Sequence, residues 1–365
     1  MRKRLLVALA CLLLATVPRA AEKRFITEKD LLKFTWIADP QIAPDGSTIA
    51  FVRVTVNEKE NRYETSLFAV VTSGAEAPRR LTSSVRDTMP RWSPDGRRLA
   101  FVRSIERDGK PQPGQVYVLD MNGGDAYPLT QDTTGVTSIE WSPDGKTVAF
   151  TSPVGGDEPD KRDEKEKDAK SDVQVITRAV YRANGNPTYV DAGRHTHIFT
   201  VAATTGADRP PAKQVTDGEY DEREIEWAPD GSKIYFISTR VPEPYYEPND
   251  SDLFSVPTSG GTITKIASID GTISAPRVSP DGHRIAFVGT PYGNPVRSYD
   301  QSDLFVVDAA PGSAPRNLTE AYDFDIAGGI GGDQAPREGR VATVSSGRRM
   351  PRRSSSSRRN TAART

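Results

Sequence analysis

A short motif recurs five times along this chain and limits the folds available to it more than any other feature. Each copy ends in Pro-Asp-Gly followed by two residues and an apolar run, and the turn aspartates are Asp45, Asp95, Asp144, Asp230 and Asp281. Their spacings are 50, 49, 86 and 51 residues. A nearly fixed period of this length indicates an architecture built from repeated supersecondary units.

The repeat unit predicts β-structure. Pro sets φ for the first corner of a turn, Asp can accept a hydrogen bond from its own backbone, and Gly tolerates positive φ, so Pro-Asp-Gly predicts a hairpin. The run that follows, such as Ile49–Val52, is apolar at every position, which is typical of a strand covered on both faces. A second strand pair follows in each unit, as at Asp303–Asp308.

Four antiparallel strands repeated at this period predict one blade of a β-propeller. The fold class is therefore all-β, an incomplete propeller of about five to six four-stranded blades over residues 25–336. The 86-residue interval predicts one blade carrying an insertion at 156–191. Tryptophans recur just before the turns, at Trp92, Trp141 and Trp227, and we expect them to pack between neighbouring sheets.

Both ends of the chain differ from the repeats. Arg2 to Arg4 followed by the apolar run Leu5–Val17 predicts a secretory signal peptide over residues 1–21, hence a periplasmic or secreted protein. No later segment is apolar over the length that a membrane span needs. Residues 337–365 hold nine Arg and one acidic residue, and we expect a disordered basic tail there.

Charge and cysteine content exclude other classes. The net charge is −1, but the segment before residue 337 is acidic and shows no basic face with interleaved aromatic residues, so we expect no nucleic-acid partner. A basic arm at 337–365 that grips an anionic surface is the alternative interpretation of the tail. Cys11 is the only cysteine and lies in the predicted signal peptide, which leaves no disulfide for the mature chain.

The repeats resemble those of a known family. Trp-Ser-Pro-Asp-Gly-x-x-Val-Ala-Phe at 141–150, paired with Asp-Leu-Phe-Val-Val-Asp at 303–308, is similar to the N-terminal propeller of the prolyl oligopeptidase family. Val-Ile-Thr-Arg-Ala-Val-Tyr-Arg-Ala-Asn-Gly at 175–185 resembles its acylaminoacyl-peptidase and dipeptidyl-peptidase branch. The resemblance implies a serine peptidase in which a propeller shields an α/β-hydrolase domain and gates and orients peptide substrates.

This sequence departs from the family pattern in its catalytic residues. It has no Gly-x-Ser-x-Gly nucleophile elbow, and its histidines, His195, His197 and His283, all fall within the repeats. We therefore expect a chain truncated before the hydrolase domain, with no catalytic residues and no activity alone. The alternative is a non-enzymatic propeller of the periplasmic TolB type that docks envelope proteins, since such propellers have very similar repeats.

Strand polarity places the long connections between second and third strands on one face, where binding residues usually gather. Peptide-binding candidates there are Arg178, Tyr181, Arg182, Tyr189, Tyr245 and Tyr246, through stacking and carboxylate capture. Solvated loops with incidental tyrosines are the alternative.

His195 and His197 face the same way on a strand but lack an evident third ligand, so we expect a structural role, with no metal and no cofactor. Expected partners are a peptide substrate or the missing hydrolase domain, and envelope proteins in the alternative. The uncovered faces of the first and last sheets favour association with other chains.

Overall fold

The computed structural model describes residues 24–131, 134–155, 181, 190–191, 193–204, 211–241, 250–292, 301–322 and 326. These residues form five four-stranded antiparallel sheets in chain order, a small hairpin and one short 3-10 helix, Glu28–Lys33. The predicted all-β fold of four-stranded units is confirmed.

The strands of the five sheets are as follows. The first sheet holds β1 (Trp36–Ile42), β2 (Thr48–Asn57), β3 (Arg62–Val71) and β4 (Arg79–Arg80). The second holds β5 (Asp87–Trp92), β6 (Arg98–Arg103), β9 (Gln115–Asp120) and β10 (Tyr127–Pro128), with the hairpin β7 (Glu106–Arg107) and β8 (Lys110–Pro111) inserted between β6 and β9. The third holds β11 (Ser138–Trp141), β12 (Thr147–Gly155), β13 (Arg194–Ala202) and β14 (Lys213–Gln214). The fourth holds β15 (Glu222–Trp227), β16 (Lys233–Ser238), β17 (Asp252–Pro257) and β18 (Thr264–Ala267). The fifth holds β19 (Gly271–Val278), β20 (Arg284–Pro291), β21 (Asp303–Asp308) and β22 (Arg316–Asn317).

The sheets are arranged radially. The first strands of successive sheets contact one another in the order β1, β5, β11, β15, β19, and each sheet packs on the next. Within the described ranges the fifth sheet makes no comparable contact with the first, so the ring of sheets is not closed. First strands line the centre, and the two-residue fourth strands lie outermost in most sheets.

The Pro-Asp-Gly turns have the predicted chemistry. In the second sheet, Gly96 N–H donates to Ser93 O over 2.9 Å, and Gly96 has φ +71°. Asp95 Oδ1 accepts from Arg97 N–H at 3.0 Å and from Ser93 Oγ–H at 2.6 Å. These donors hold the pKa of the Asp95 carboxyl below its usual range.

One aromatic pair per sheet sets the packing between sheets. The second and third strands of every sheet place two rings face to face, with centroids 5.4 to 6.0 Å apart: Phe51 and Phe68, Phe101 and Tyr117, Phe150 and Phe199, Phe236 and Phe254, Phe287 and Phe305. In the second to fifth sheets this face lies on buried apolar side chains of the sheet before it, as Phe101 lies on Ala50 and Val52. In these four sheets the aromatic pair therefore faces the sheet that precedes it in the chain.

The tryptophans tie neighbouring sheets together, as predicted. Trp92 Nε1–H donates to Gln41 O at 2.9 Å, and Trp141 Nε1–H donates to Arg91 O at 3.0 Å. Each indole therefore reaches the first strand of the preceding sheet and satisfies its own polar atom there. Trp227 makes the same bond to Glu140 O at the longer distance of 3.4 Å.

Candidate functional site

The connections between second and third strands all leave the same end of their sheets, because every sheet is built in the same antiparallel order. In the sequence, the six predicted peptide-binding residues fall within two of these connections, between β12 and β13 and between β16 and β17. Of these, Tyr181 is described: its side chain is exposed, and its carbonyl accepts a hydrogen bond from Val190 N–H at 2.9 Å. The other five, Arg178, Arg182, Tyr189, Tyr245 and Tyr246, lie outside the described residues, so the peptide-binding surface stays a prediction.

The same end of the fourth sheet holds a buried polar cluster. Glu222, at the start of β15, is fully buried and accepts from Arg240 Nη2–H at 2.5 Å and from Thr216 Oγ1–H at 2.8 Å. His197 Nδ1 lies 2.7 Å from Glu222 Oε2. Arg240 also stacks on Phe254, 5.1 Å from its centroid, so its planar cation has both an ionic and an aromatic partner.

The second sheet repeats this arrangement at the equivalent position. Arg103 donates to both oxygens of the buried Asp87 at 2.7 and 2.8 Å, and its guanidinium lies over Phe101 and Tyr117. Hydrogen bonding to Asp87 raises the pKa of Arg103. These clusters brace the ends of the strands from which the long connections leave. Sequence reasoning missed them, although an acid at the start of the first strand with an arginine at the end of the second strand, or two residues beyond it, was a usable signal.

The histidines occupy different environments. His197 is 3% exposed and its Nδ1 is bonded to Glu222 within the buried cluster. His195 is half-buried on the same strand, and His283 follows the fifth Pro-Asp-Gly turn, with its N–H donated to Asp281. No group of three or more His, Cys, Asp and Glu side chains in the described ranges is placed to hold a metal ion.

First strands bring charges together near the centre of the propeller. Arg91 Nη1 lies 2.7 Å from Asp39 Oδ2, and Arg277 Nη1 lies 3.4 Å from Glu226 Oε2. Burial and the negative charge of Glu140 raise the pKa of Glu226 to about 8. The central strands therefore carry both signs of charge, with one carboxyl that keeps its proton to near-neutral pH.

At the opposite end of the sheets, where the Pro-Asp-Gly turns lie, the described residues line at least two cavities between sheets. The larger, of about 500 Å³, lies between the third and fourth sheets against Trp227, and the smaller, of about 260 Å³, lies between the first and second against Trp92. Two turn aspartates line each cavity, Asp144 and Asp230 in the larger. The repeat pattern predicted the aspartates as turn residues and the tryptophans as core residues, with no binding role.

Comparison with known proteins agrees with the architecture. The profile of the TolB beta propeller domain matches residues 32–195. Acylaminoacyl peptidase from Pyrococcus horikoshii superposes with a TM-score of 0.57 at 20% identity, over 81% of this chain and 41% of that one. Puromycin hydrolase superposes with a TM-score of 0.50 at 15% identity, over 78% of this chain and 37% of that one. The chain is therefore a β-propeller with TolB-type repeats.

Curated relatives are peptidases. The chain is 29% identical to the uncharacterized peptidase YuxL of Bacillus subtilis over 215 residues, 59% of this chain and 31% of the relative. It is 24% identical to dipeptidyl-peptidase 5 of Porphyromonas gingivalis over 319 residues, 82% of this chain and 44% of the relative. This propeller is thus related both to TolB and to the propeller domains of peptidases, and it spans less than half the length of those relatives. Among the described residues, no helix is long and apolar enough to cross a membrane.

Proposed function

We propose that this chain is the non-catalytic propeller portion of an exported serine peptidase related to the prolyl oligopeptidase family, and that it gates and orients peptide substrates. The observation that carries the proposal is the extent of the match to dipeptidyl-peptidase 5, which covers 82% of this chain and 44% of that relative. In this assignment a hydrolase domain supplies the nucleophile, and the propeller supplies a rigid frame for the loops.

The structure supports a frame of this kind. Buried ion pairs at Asp87 and Glu222 fix the strand ends from which the long connections leave, so those loops start from defined positions. Variable loops on a rigid scaffold are where binding usually occurs. Tyrosine and arginine in these loops would stack on peptide side chains and pair with a peptide carboxylate.

Peptide binding by the purified chain tests this proposal. We expect fluorescein-labelled tetrapeptides to bind measurably by fluorescence anisotropy, and the double substitutions Tyr245→Ala/Tyr246→Ala and Arg178→Ala/Arg182→Ala each to weaken binding at least fivefold. The matched control is Arg97→Ala/Lys146→Ala, which removes exposed cations from the turn end and should leave binding unchanged. Equal loss in the control, or no loss in either loop variant, would contradict the proposal.

A hydrolysis assay tests the non-catalytic part separately. We expect no release of p-nitroaniline from dipeptidyl p-nitroanilides by the purified chain. Turnover that a fluorophosphonate inhibitor abolishes would show a nucleophile within this chain and overturn that part. Amino-terminal sequencing of the exported protein tests localisation, since removal of residues 1–21 is expected.

The match of residues 32–195 to the TolB beta propeller domain favours a second candidate, a protein-docking propeller of the cell envelope. The two candidates differ in ligand size. Cross-linking of the exported chain to a folded envelope protein, with no binding of short peptides, would favour docking over peptide handling.

A further inference from the structure

Equivalent grooves separate neighbouring sheets at the turn end, and one of them is filled by the chain itself. Between the second and third sheets, the Arg98 guanidinium lies over the Trp141 ring, 4.8 Å from its centroid. Its two terminal nitrogens donate to Gly145 O at 2.6 Å and to Ala203 O at 3.0 Å. Stacking and two carbonyl acceptors are what a planar cation needs when it leaves water.

The groove between the third and fourth sheets has the same receptor groups, and none of the described residues that line it is a cation. The nearest described ammonium from the third sheet is that of Lys213, which donates to Ser259 O, the carbonyl after that of Thr258, at 2.8 Å. Repeat register puts Thr147 where the preceding groove has Arg98. Trp227, Gly231 and Thr258 take the places of Trp141, Gly145 and Ala203, and with Thr147 they line the cavity of about 500 Å³. The equivalence of Thr258 and Ala203 rests on their backbone bonds, because each donates its N–H to the second residue after the turn aspartate, Ser232 O and Lys146 O.

This groove is also wider than the others. A Cβ added to the turn glycine would lie 3.5 to 3.6 Å from the turn proline of the preceding sheet at three boundaries, Gly96 on Pro44, Gly145 on Pro94 and Gly282 on Pro229. At Gly231 it would meet nothing within 4 Å. The long Trp227 Nε1 to Glu140 O distance of 3.4 Å agrees with this opening.

Charge in the wide groove favours a cation. Asp144 and Asp230 both line the cavity. Hydrogen bonds from Ser142 and the Lys146 N–H hold the pKa of Asp144 below its usual range, and those from Ser232 do the same for Asp230, so both carboxylates are ionised at neutral pH. The Lys146 ammonium lies 3.9 Å from Asp144, but that side chain is 82% exposed and extends into solvent.

We propose that the cavity between the third and fourth sheets binds a guanidinium group, such as the arginine side chain of a peptide or protein, in the position that Arg98 fills one sheet earlier. The guanidinium would stack on Trp227 and donate to the carbonyl oxygens of Gly231 and Thr258. Asp144 and Asp230 supply the counter-charge. This site lies at the opposite end of the sheets from the predicted peptide-binding loops.

Calorimetric titration with Nα-acetyl-arginine amide tests the site. One side chain of this size should bind with a Kd on the order of 1 mM. Nα-acetyl-citrulline amide, which has the same shape without the charge, should bind at least tenfold more weakly, and the lysine analogue should be intermediate. Equal binding of the citrulline and arginine compounds, or no saturable binding of either, would overturn the proposal.

Thr147→Arg places a cation in the wide groove at the position equivalent to Arg98, and it should abolish binding. The matched control is Thr48→Arg, which fills the smaller cavity between the first and second sheets and should leave binding unchanged. Loss in the control and retention in Thr147→Arg would place the site elsewhere. Asp230→Asn gives an independent reading with little change in shape and should weaken binding about fivefold or more.

The converse substitution, Arg98→Thr, should open a second site against Trp141. Calorimetric stoichiometry should rise by one equivalent, and agmatine should raise the melting temperature of this variant more than that of the parent chain. An unchanged stoichiometry would contradict the inference that the two grooves are equivalent. Tighter binding of a Gly-Arg-Gly peptide than of agmatine would indicate a protein source for the guanidinium, and the reverse order would indicate a free guanidino compound.

Discussion

The second and fifth sheets have nearly the same sequence pattern but differ in what covers them. In the second sheet, β6 is buried on both faces over the four residues Leu99 to Val102, and Val118 of β9 is 0% exposed. In the fifth sheet burial alternates along β20 and β21, so Val307 is 2% exposed while its neighbour Val306 is half-buried. Apolar residues on both faces of a strand therefore specify a place between two sheets, and the neighbouring sheet supplies the burial.

The sheets also differ at the end from which the long connections between second and third strands leave. The second and fourth place a buried acid, Asp87 or Glu222, at the position where the first has Ile37 and the fifth has Ile273. Ile37 is 66% exposed, whereas Ile273 is 2% exposed. Both buried acids have an arginine that lies over the aromatic pair beside them, and this arginine offsets the cost of burying the carboxylate.

The largest expected effect is at Glu222. Glu222→Ala removes the carboxylate that pairs with Arg240 and bonds to His197. It leaves Arg240 without its counter-charge and His197 without this hydrogen-bond partner, which should cost about 3–5 kcal/mol of unfolding free energy. Urea denaturation followed by tryptophan fluorescence measures it. The control is the exposed Glu219→Ala, which should change stability by less than about 0.5 kcal/mol. Similar values for both variants would mean that the cluster does not stabilise the fourth sheet.

Two valines at equivalent positions of the second and fifth sheets test how much a neighbouring sheet contributes to burial and stability. Val118→Ala in the second sheet should cost about 1.5–3 kcal/mol, because the side chain is fully buried between sheets. Val306→Ala at the equivalent position of the fifth sheet should cost less than about 1 kcal/mol, because this side chain is only partly buried. Equal losses in the same denaturation assay would show that something covers the outer face of the fifth sheet.

Sequence alone predicted the repeat, the antiparallel order and the turn chemistry, because each depends on residues close in the chain. Pro-Asp-Gly places its hydrogen bonds within five residues, as Asp281 does with Ser279 and His283. The inter-sheet role of the tryptophans was also predictable from their recurrence at one register.

The groove chemistry was not predictable in the same way. Arg98 and Thr147 occupy equivalent positions in their repeats. The Arg98 side chain fills the space beside Trp141, whereas the Thr147 side chain leaves the space beside Trp227 open. Whether a groove is filled or open depends on contacts between residues about 50 to 100 positions apart in sequence and on the distance between neighbouring sheets. No local sequence pattern encodes either of these. The predicted loop residues remain predictions for a similar reason, since their grouping depends on how long connections fold together.

The boundary between the fourth and fifth sheets gives a pH-dependent comparison. The folded-state pKa of Glu226 is about 8, above its unfolded value, so its contribution is most favourable at low pH and declines as the pH rises toward 8. Glu226→Gln lacks this decline. At pH 8 the variant should be more stable than the parent chain by on the order of 1–2 kcal/mol, a range that takes into account that the Glu226 side chain is 20% exposed. The difference in stability should shrink toward pH 5. Melting temperatures across pH 5–9 measure this, and a constant difference would contradict the assignment.

The smallest expected effect compares two inter-sheet tryptophans. Trp141→Phe and Trp227→Phe remove similar ring area, but the first also removes a 3.0 Å hydrogen bond to Arg91 O and the stacking surface for Arg98. The second removes only a 3.4 Å contact to Glu140 O at the edge of an open cavity. We therefore expect Trp141→Phe to cost about 0.5–1.5 kcal/mol more than Trp227→Phe in urea denaturation. Adding Arg98→Thr to both variants should reduce that difference, because the cation that distinguishes the tight boundary from the open one is then absent from both proteins.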